Sequence, residues 1–366
     1  RAPVRSLVAS LGTSAVLISP TETVRHMQLH AEVLTVHTTH PFVIARGGFS
    51  EYRVVWVRVR DVDGAEGWGE AAPSRFYGET ADSVMAAMAQ FAPVLEKANS
   101  WSIDAIEREL EKTLRWNAAA RCAISSALHD LAAKRLGVPL WKMWGLDAKA
   151  APRSTFTIGI APDAETLRAR VRDAAAYPIL KLKLGSSWDR EVLRIVREEA
   201  PHAILRVDAN AAWTPKQALA MLQPLTDVGV DMLEQPLAPH DIEGLRFVRE
   251  RSPIPVIADE SCVVATDIPK LVGAVDGINI KLAKCGSLRE AMRMIAVARA
   301  HGMRVMCGCM IETTLGIAAA AHFSPLLDDA DLDGAALLSD DPFTGPAIPN
   351  GQVTLSDAPG LGVQRR

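Results

Sequence analysis

Seven short apolar runs divide the second half of the chain at nearly regular intervals. The reactive or charged residues that end the first six runs follow one another at intervals of 22 to 26 residues. These six residues are Lys183, Asp208, Glu234, Asp259, Lys281 and Cys307; the seventh run is Ala330–Asp333. One β-strand followed by one α-helix takes up such an interval, and continuous apolar strands are typical of parallel sheets buried on both faces. The spacing predicts a closed βα barrel with these residues at the C-terminal ends of its strands.

The chain is longer than a barrel of this kind needs. It has 366 residues, whereas such barrels take roughly 250. We therefore expect a cap domain over residues 28–150, the barrel over 151–339, and a C-terminal segment over 340–366 that packs on the cap. Residues 1–27, with Arg1 and Arg5 before an apolar stretch, are expected to be an N-terminal extension.

The expected cap combines strands and helices. Alternating residues in 29–36, 53–59 and 67–70 predict strands, and a turn at 61–64 predicts a hairpin between the last two. Apolar residues three and four apart predict helices over 80–98 and 105–136. The cap is therefore predicted to be an α+β domain.

Composition excludes several classes of partner. The chain is 49% hydrophobic and 23% charged with a formal net charge of -3, which gives no electrostatic case for binding nucleic acid or an anionic membrane. Its five cysteines include no C-x-x-C pair, so neither a disulfide framework nor a zinc site is indicated. We expect a cytoplasmic protein that forms a homo-oligomer.

Three carboxylates end three successive predicted strands. Asp208, Glu234 and Asp259 should therefore lie side by side at the barrel mouth. Three carboxylates without a cation would repel one another, and hard oxygen ligands suit Mg²⁺ best and Mn²⁺ next. An isolated aspartate at a strand end is more often a helix N-cap, but three in register predict a metal site.

Lysines end two other predicted strands. Lys181 and Lys183 are two residues apart and share a face, and Lys281 comes from a strand on the other side of the metal. A lysine base needs its pKa lowered by about three units, and a neighbouring ammonium or a divalent cation lowers it. Lys284 is interpreted as an ordinary loop charge.

These motifs together resemble the muconate-lactonizing subgroup of the enolase superfamily. The resemblance rests on Lys-x-Lys at 181–183, Val-Asp-Ala-Asn at 207–210, Glu-Gln-Pro at 234–236, Ala-Asp-Glu-Ser at 258–261 and Asn-Ile-Lys at 279–281. It implies an α/β fold: a modified (β/α)₇β TIM-type barrel with an N-terminal α+β cap. It also implies a first step that removes the proton α to a carboxylate held on Mg²⁺, with a lysine as the base. Lys183 and Lys281 would serve opposite faces of that carbon, and Lys181 would orient the carboxylate.

The last predicted strand indicates which enzymes of this superfamily the chain resembles most. Asp331 and Asp333 look like the Asp-x-Asp pair with which dipeptide epimerases hold the α-ammonium of a dipeptide. Arg46 in the cap loop and Met310 and Glu312 after the sixth run stand in further stretches that match that group, and these residues and Phe49 are expected to contact substrate. The expected reaction is epimerisation at Cα of the C-terminal residue of a dipeptide. L-Ala-D/L-Glu is one expected substrate, and a hydrophobic dipeptide is the other.

Other readings stay open at this point. Epimerases for Ala-Glu can use a cap-loop cation shortly after the Arg-Gly, where this chain has Gly48-Phe49; Arg46 or Arg75 could replace it. Within the superfamily, a cycloisomerase or an o-succinylbenzoate-synthase-type dehydratase is the alternative. Outside it, the alternatives are a Schiff-base aldolase, which would leave the carboxylates without a role, and a non-catalytic barrel that only binds.

Overall fold

The computed structural model describes residues 26–366. The expected N-terminal extension falls on residues 1–27, of which 1–25 lie outside the described residues. No helix in the described part of the chain combines the length and the apolarity that crossing a bilayer requires.

The cap begins with an antiparallel three-stranded sheet. Its strands are β1 (Gln28–Ile44), β2 (Gly47–Arg60) and β3 (Glu66–Ala71), in the order β1-β2-β3. The turn between β2 and β3 closes with a hydrogen bond from the Asp61 amide to the Ala65 carbonyl (2.9 Å) and uses Gly64 at φ 84°. The predicted hairpin is confirmed.

Three helices complete the cap: α1 (Ala81–Glu96), α2 (Ile103–Thr113) and α3 (Ala118–Arg135). Helices α1 and α3 pack against the sheet, and α2 packs on both of them. The prediction of one continuous helix over 105–136 was wrong. The chain breaks after Thr113, where Trp116 (φ 69°) and Asn117 (φ 50°) take left-handed conformations that a helix cannot continue through. Helix α3 then lies so close to β3 that a Cβ on Gly69 would come 2.1 Å from the Ala123 carbonyl oxygen, so only glycine fits there.

The barrel contains eight parallel strands in sequential order. They are β4 (Phe156–Ile158), β5 (Ile179–Lys183), β6 (Ile204–Asp208), β7 (Val230–Glu234), β8 (Val256–Ala258), β9 (Gly277–Ile280), β10 (Arg304–Gly308) and β11 (Asp329–Asp331). The ring closes where the Thr155 amide donates to the Ala330 carbonyl (3.0 Å). The predicted α/β barrel fold is confirmed, and β4 is the strand that the seven apolar runs did not include.

Helices precede or connect the barrel strands and bury apolar residues in the core around the barrel. They are α4 (Leu140–Met143), α5 (Ala164–Asp173), α6 (Asp189–Glu199), α7 (Pro215–Asp227), α8 (Ile242–Arg249), α9 (Ile268–Leu271), α10 (Leu282–Cys285), α11 (Leu288–Ala300) and α12 (Thr314–Ala321). Helix starts follow local chemistry: Thr214 and Gln217 form a capping box at α7, and Ser287 accepts from the Glu290 amide at α11.

The C-terminal segment returns to the cap sheet. It contains the short antiparallel strands β12 (Phe343–Thr344) and β13 (Gln364–Arg365). The Phe343 ring packs edge-on against Trp56 with centroids 5.6 Å apart, and Arg365 pairs with Glu32 of β1 at 3.3 Å. Strand β1 and residues more than 300 positions later therefore contact each other.

Candidate active site

Three buried carboxylates meet at one end of the barrel. Asp208 and Glu234 are the last residues of β6 and β7, and Asp259 directly follows β8. One oxygen from each lies within 4.8 Å of the others, and all three side chains are buried. Parallel strands bring their C-terminal ends to the same edge, so the register of the barrel alone creates this cluster.

The electrostatics of the cluster show crowding of negative charge. Burial, together with the charge of Asp208, raises the pKa of Glu234 to about 7. Burial also opposes ionisation of Asp259, but the ammonium groups of Lys281 and Lys284 outweigh it and hold its pKa well below the ordinary value. The pKa of a carboxylate in this cluster therefore falls only where the neighbouring lysines outweigh burial and the other negative charges.

Strand β5 supplies two lysines with different surroundings. The ammonium of Lys181 lies 2.6 Å from Asp331 and 2.8 Å from Glu234, and its side chain is 1% exposed. The ammonium of Lys183 lies 2.7 Å from an oxygen of Asp208 and faces the cavity above. Lys181 therefore joins the carboxylate cluster to β11, whereas Lys183 is accessible to a ligand.

Lys281 approaches from the other side. It follows β9, and its ammonium lies 2.7 Å from an oxygen of Asp259. Strands β5 and β9 are four positions apart in a ring of eight, so Lys183 and Lys281 stand on opposite sides of the mouth. Burial would lower the pKa of Lys281, but the charges of Asp259 and Glu234 outweigh it and raise the pKa well above the ordinary value.

Lys284 is not the loop charge that the sequence indicated. Its side chain is 0% exposed, and its ammonium donates to Asp259 at 2.7 Å. It also donates to the backbone carbonyls of Asp259 (2.5 Å) and Asn279 (2.8 Å). The prediction was wrong because the single turn of α10 directs Lys284 back under the strand ends, and periodicity does not reveal such a turn.

Asp331 and Asp333 reach the same cavity by a route that differs from the prediction. Strand β11 ends at Asp331, and Asp333 lies at the start of a 3₁₀ turn over Gly334–Leu337, so the two are not alternating strand residues. Asp331 accepts from the hydroxyl of Thr155, and Asp333 accepts from the amide of Thr157 at 2.5 Å. Both carboxylates line the cavity.

The two carboxyl groups differ in their electrostatics. Burial opposes ionisation of Asp331, but Lys181 and Lys183 outweigh it and lower its pKa to about 2. Burial and the neighbouring charge of Asp331 raise the pKa of Asp333 to about 7. A cation that binds between them would lower the pKa of Asp333, so the pair suits a positively charged group.

A cavity of about 960 Å³ lies over these residues, between the barrel mouth and the cap. Arg46 and Phe49 of the cap loop line it together with Met310, as the sequence suggested. Glu312 does not line it: the side chain is buried beside the cavity and accepts from the Met310 amide at 2.8 Å. Burial raises the pKa of Glu312 to about 7.

The cap loop is anchored on the barrel by backbone and side-chain bonds. The Val43 carbonyl accepts from the Ile160 amide at 2.8 Å. Arg46 donates to the Asn210 carbonyl at 2.5 Å and to Glu260 at 2.8 Å. Asn210 and Glu260 were not singled out from the sequence, although both stand in the motifs that contain Asp208 and Asp259. Their positions just past two strand ends were the available signal.

Two family models match the chain. The mandelate racemase / muconate lactonizing enzyme N-terminal domain matches residues 28–145, and the enolase C-terminal domain-like family matches residues 163–366. Together these matches cover both the cap sheet with its helices and most of the barrel.

Individual relatives are similar over most of their length. The chain is 40% identical to an L-Ala-D/L-Glu epimerase of Bacteroides thetaiotaomicron, over 89% of this chain and 85% of the relative. It is 37% identical to an L-Ala-D/L-amino acid epimerase of a Maribacter species, over 92% and 99%. The crystal structure of a dipeptide epimerase from Enterococcus faecalis, complexed with Mg and L-Leu-L-Tyr, superposes with a TM-score of 0.88 at 32% identity and covers 93% of this chain and 100% of that one.

Proposed function

Because this chain belongs to the mandelate racemase / muconate lactonizing enzyme family of the enolase superfamily, we propose that it is a Mg²⁺-dependent dipeptide epimerase. The observation that carries the proposal is the pair Lys183 and Lys281 on opposite sides of a carboxylate cluster, with Asp331 and Asp333 in the same cavity. The reaction is an isomerisation by 1,1-proton transfer at the Cα of the C-terminal residue.

Asp208, Glu234 and Asp259 would hold the metal. The fit is supported by their proximity and by two buried oxygens near them, Asn210 Oδ1 and Glu260 Oε2, that have no hydrogen-bond partner within residues 26–366. Carboxylate and amide oxygens suit Mg²⁺, and Mn²⁺ suits the same ligands. Mg²⁺, when bound, supplies positive charge that stabilises the negative charge developing next to Cα as its proton leaves.

The lysines move the proton. One ammonium must first lose its proton, and that amine then removes the α-proton from one face of the substrate carbon. The lysine on the opposite side returns a proton to the other face, which inverts the configuration without a covalent intermediate. Lys181 is too deeply buried to touch the substrate and instead orients the carboxylates around it.

Asp331 and Asp333 would bind the α-ammonium of the dipeptide. An ammonium held there and a carboxylate held at the metal would place the C-terminal Cα between Lys183 and Lys281. A substrate of a cycloisomerase or of an o-succinylbenzoate synthase has no ammonium and would supply no cation to Asp333, whose pKa burial and the charge of Asp331 raise to about 7. This pair therefore favours the epimerase over these two alternatives.

The charges that line the cavity favour an acidic side chain on the epimerised residue. Four of its five lysine and arginine side chains have carboxylate partners: Arg46 with Glu260, Arg53 with Asp82, Lys183 with Asp208 and Lys281 with Asp259. Within residues 26–366, Arg75 has none, and its guanidinium lies 5.6 Å from the centroid of the Phe49 ring. We assign Arg75 as the partner of a glutamate side chain, with an apolar side chain packed on Phe49 and Phe76 as the alternative.

Deuterium exchange tests the reaction. The protein is incubated with Mg²⁺ and a library of L,L-dipeptides in D₂O, and mass spectrometry reads deuterium at Cα. We expect deuterium in the C-terminal residue, together with the L,D product. Absence of exchange in every dipeptide, with Mg²⁺ binding demonstrated, contradicts the epimerase and favours lactonisation or dehydration.

The side-chain assignment has its own test. We expect Arg75→Gln to lower kcat/KM for L-Ala-L-Glu by roughly 10- to 100-fold and to leave L-Ala-L-Leu unchanged, as for one charge-assisted hydrogen bond. Arg53→Gln is the matched control, because Arg53 also lines the cavity but is paired with Asp82. Equal losses for both dipeptides, or none for L-Ala-L-Glu, would exclude Arg75 and favour the apolar alternative.

The homo-oligomeric state and the cytoplasmic location stay predictions from the sequence.

A further inference from the structure

A fully buried lysine lies behind the carboxylate cluster, on the side away from the cavity. Lys284 makes three hydrogen bonds, all to Asp259 and Asn279, and does not line the cavity. Asp259 is the one carboxylate paired with it within residues 26–366. A buried ammonium is costly unless paired and hydrogen-bonded, so this lysine is held in place by the cluster and holds the cluster in turn.

The contacts of Lys284 extend to a second carboxylate. The backbone carbonyl of Asn279 accepts from Lys284, while the side-chain amide of Asn279 donates to Glu234 at 2.8 Å. The same short segment therefore restrains Asp259 directly and Glu234 through Asn279. Two of the three proposed metal ligands are thus fixed from one side.

Local structure fixes Lys284 in this position. Helix α10 is a single turn in which the Lys284 amide donates to the Lys281 carbonyl at 2.9 Å, and it ends at Gly286 with φ 90°. A Cβ on Gly286 would come 3.0 Å from the Arg121 guanidinium, so the turn is also packed against α3. The segment 281–286 thus presents Lys281 to the cavity and Lys284 to the back of the cluster.

Lys281 and Lys284 donate hydrogen bonds to different oxygens of the same carboxylate. Lys281 donates to Asp259 Oδ2 and lines the cavity, whereas Lys284 donates to Asp259 Oδ1 from behind. We infer that Lys284 is a positioning residue for the metal site, which keeps Asp259 oriented while Lys281 engages the substrate. This inference rests on the proposed function, since it assumes that Asp259 is a metal ligand.

The test measures metal affinity separately from activity. Isothermal titration calorimetry gives the Mg²⁺ dissociation constant of the wild type, Lys284→Met and Lys134→Met. Lys134 is the matched control, because its ammonium lies 2.6 Å from Asp130 within the cap, remote from the mouth. We expect Lys284→Met to weaken Mg²⁺ binding by roughly 10- to 100-fold, as for other residues that orient metal ligands, and Lys134→Met to leave it unchanged.

Thermal unfolding without Mg²⁺ separates this role from a purely structural one. A purely structural lysine would lower the melting temperature without changing the dissociation constant, and that result for Lys284→Met overturns the inference. Lys284→Gln, which retains a donor for the Asn279 carbonyl but no charge, replaces it if Lys284→Met does not fold, with the same two readouts. A wild type that does not bind Mg²⁺ contradicts the proposed function itself.

Discussion

Lys183 and Lys281 face each other across the barrel mouth, each with its ammonium 2.7 Å from a different carboxylate of the same cluster. Because their strands are four positions apart in an eight-stranded ring, the two groups address opposite faces of anything bound between them. A single lysine could remove a proton but could return it only to the same face. In the proposed reaction, inversion of the carbon centre would therefore use both lysines.

Removal of one lysine should separate exchange from epimerisation. We expect Lys183→Ala and Lys281→Ala each to lower the rate of epimerisation by about 10²- to 10⁴-fold, the usual contribution of a general acid or base. Each variant should still exchange the α-proton of one diastereomer in D₂O, and the two variants should exchange opposite diastereomers. Lys270→Ala, at an exposed lysine, is the control. Exchange of the same diastereomer by both variants would contradict the two-sided arrangement.

Mg²⁺ should stabilise the folded protein through the carboxylate cluster. Binding to the folded state alone adds about 2.7 kcal/mol to the free energy of unfolding when Mg²⁺ stands at 100 times its Kd. Glu234→Gln removes one ligand charge, and since burial and Asp208 already raise the pKa of Glu234 to about 7, the metal-free variant should remain folded. Urea unfolding with and without Mg²⁺ should show this increase in the free energy of unfolding in the wild type. Most of the increase should be missing in Glu234→Gln. An equal increment in both proteins would place the metal elsewhere.

The ammonium site can be tested from both partners. We expect Asp333→Asn to lower kcat/KM for a free dipeptide by roughly 10- to 100-fold through loss of one charge-assisted hydrogen bond. N-acetylation of the dipeptide removes the ammonium and should cost a similar factor in the wild type. The two changes should not add, because each removes the same interaction. Full additivity would show that Asp333 does not contact the ammonium.

Stability should fall as pH rises through the range in which a buried cap carboxyl ionises. Burial, together with the charges of Glu312 and Asp341, raises the pKa of Glu70 to about 8. The hydroxyl and amide of Thr313 donate to Glu70 and oppose this rise, but they do not outweigh it. The folded state then holds a proton that the unfolded chain has lost above about pH 4.5, so this stabilisation is complete below that pH and is lost as pH rises through about 8.

Glu70→Gln removes the ionisable group responsible for that dependence. Urea unfolding at about pH 5, 6.5 and 8 should give a smaller fall in the free energy of unfolding for Glu70→Gln than for the wild type. Glu109→Gln, at an exposed position, should match the wild type. Parallel curves for Glu70→Gln and the wild type would show that Glu70 stays ionised when buried.

The sequence predicted the barrel because strand ends repeat, and the site because chemistry gathers at those ends. The carboxylate cluster needs nothing beyond the register of β6, β7 and β8, and for that reason Asp208, Glu234 and Asp259 could be grouped in advance. Strands β8 and β11 are as short as β4, but an aspartate marks the end of each; β4 escaped notice because Thr157 interrupts its apolar residues and no charged residue ends it.

Features that depend on tertiary packing were harder to predict from the sequence. The burial of Lys284 depends on the direction of one helical turn, and Asp333 reaches the cavity from a 3₁₀ turn rather than from a strand. The break at Trp116 and Asn117 leaves the apolar periodicity on both sides intact, so two helices resembled one. In each case a single backbone reversal, rather than a residue pattern, decides where a side chain lies.

The contact between Arg365 and Glu32 bears on how the protein folds during synthesis. Phe343 covers Trp56 of the cap sheet, so the cap cannot complete its packing until the whole barrel has left the ribosome. Domains generally fold in order of synthesis, and contacts between residues so distant in sequence form slowly. Trp56 should therefore stay uncovered until β12 reaches the cap, and the docking of β12 on the cap should be a late event in folding.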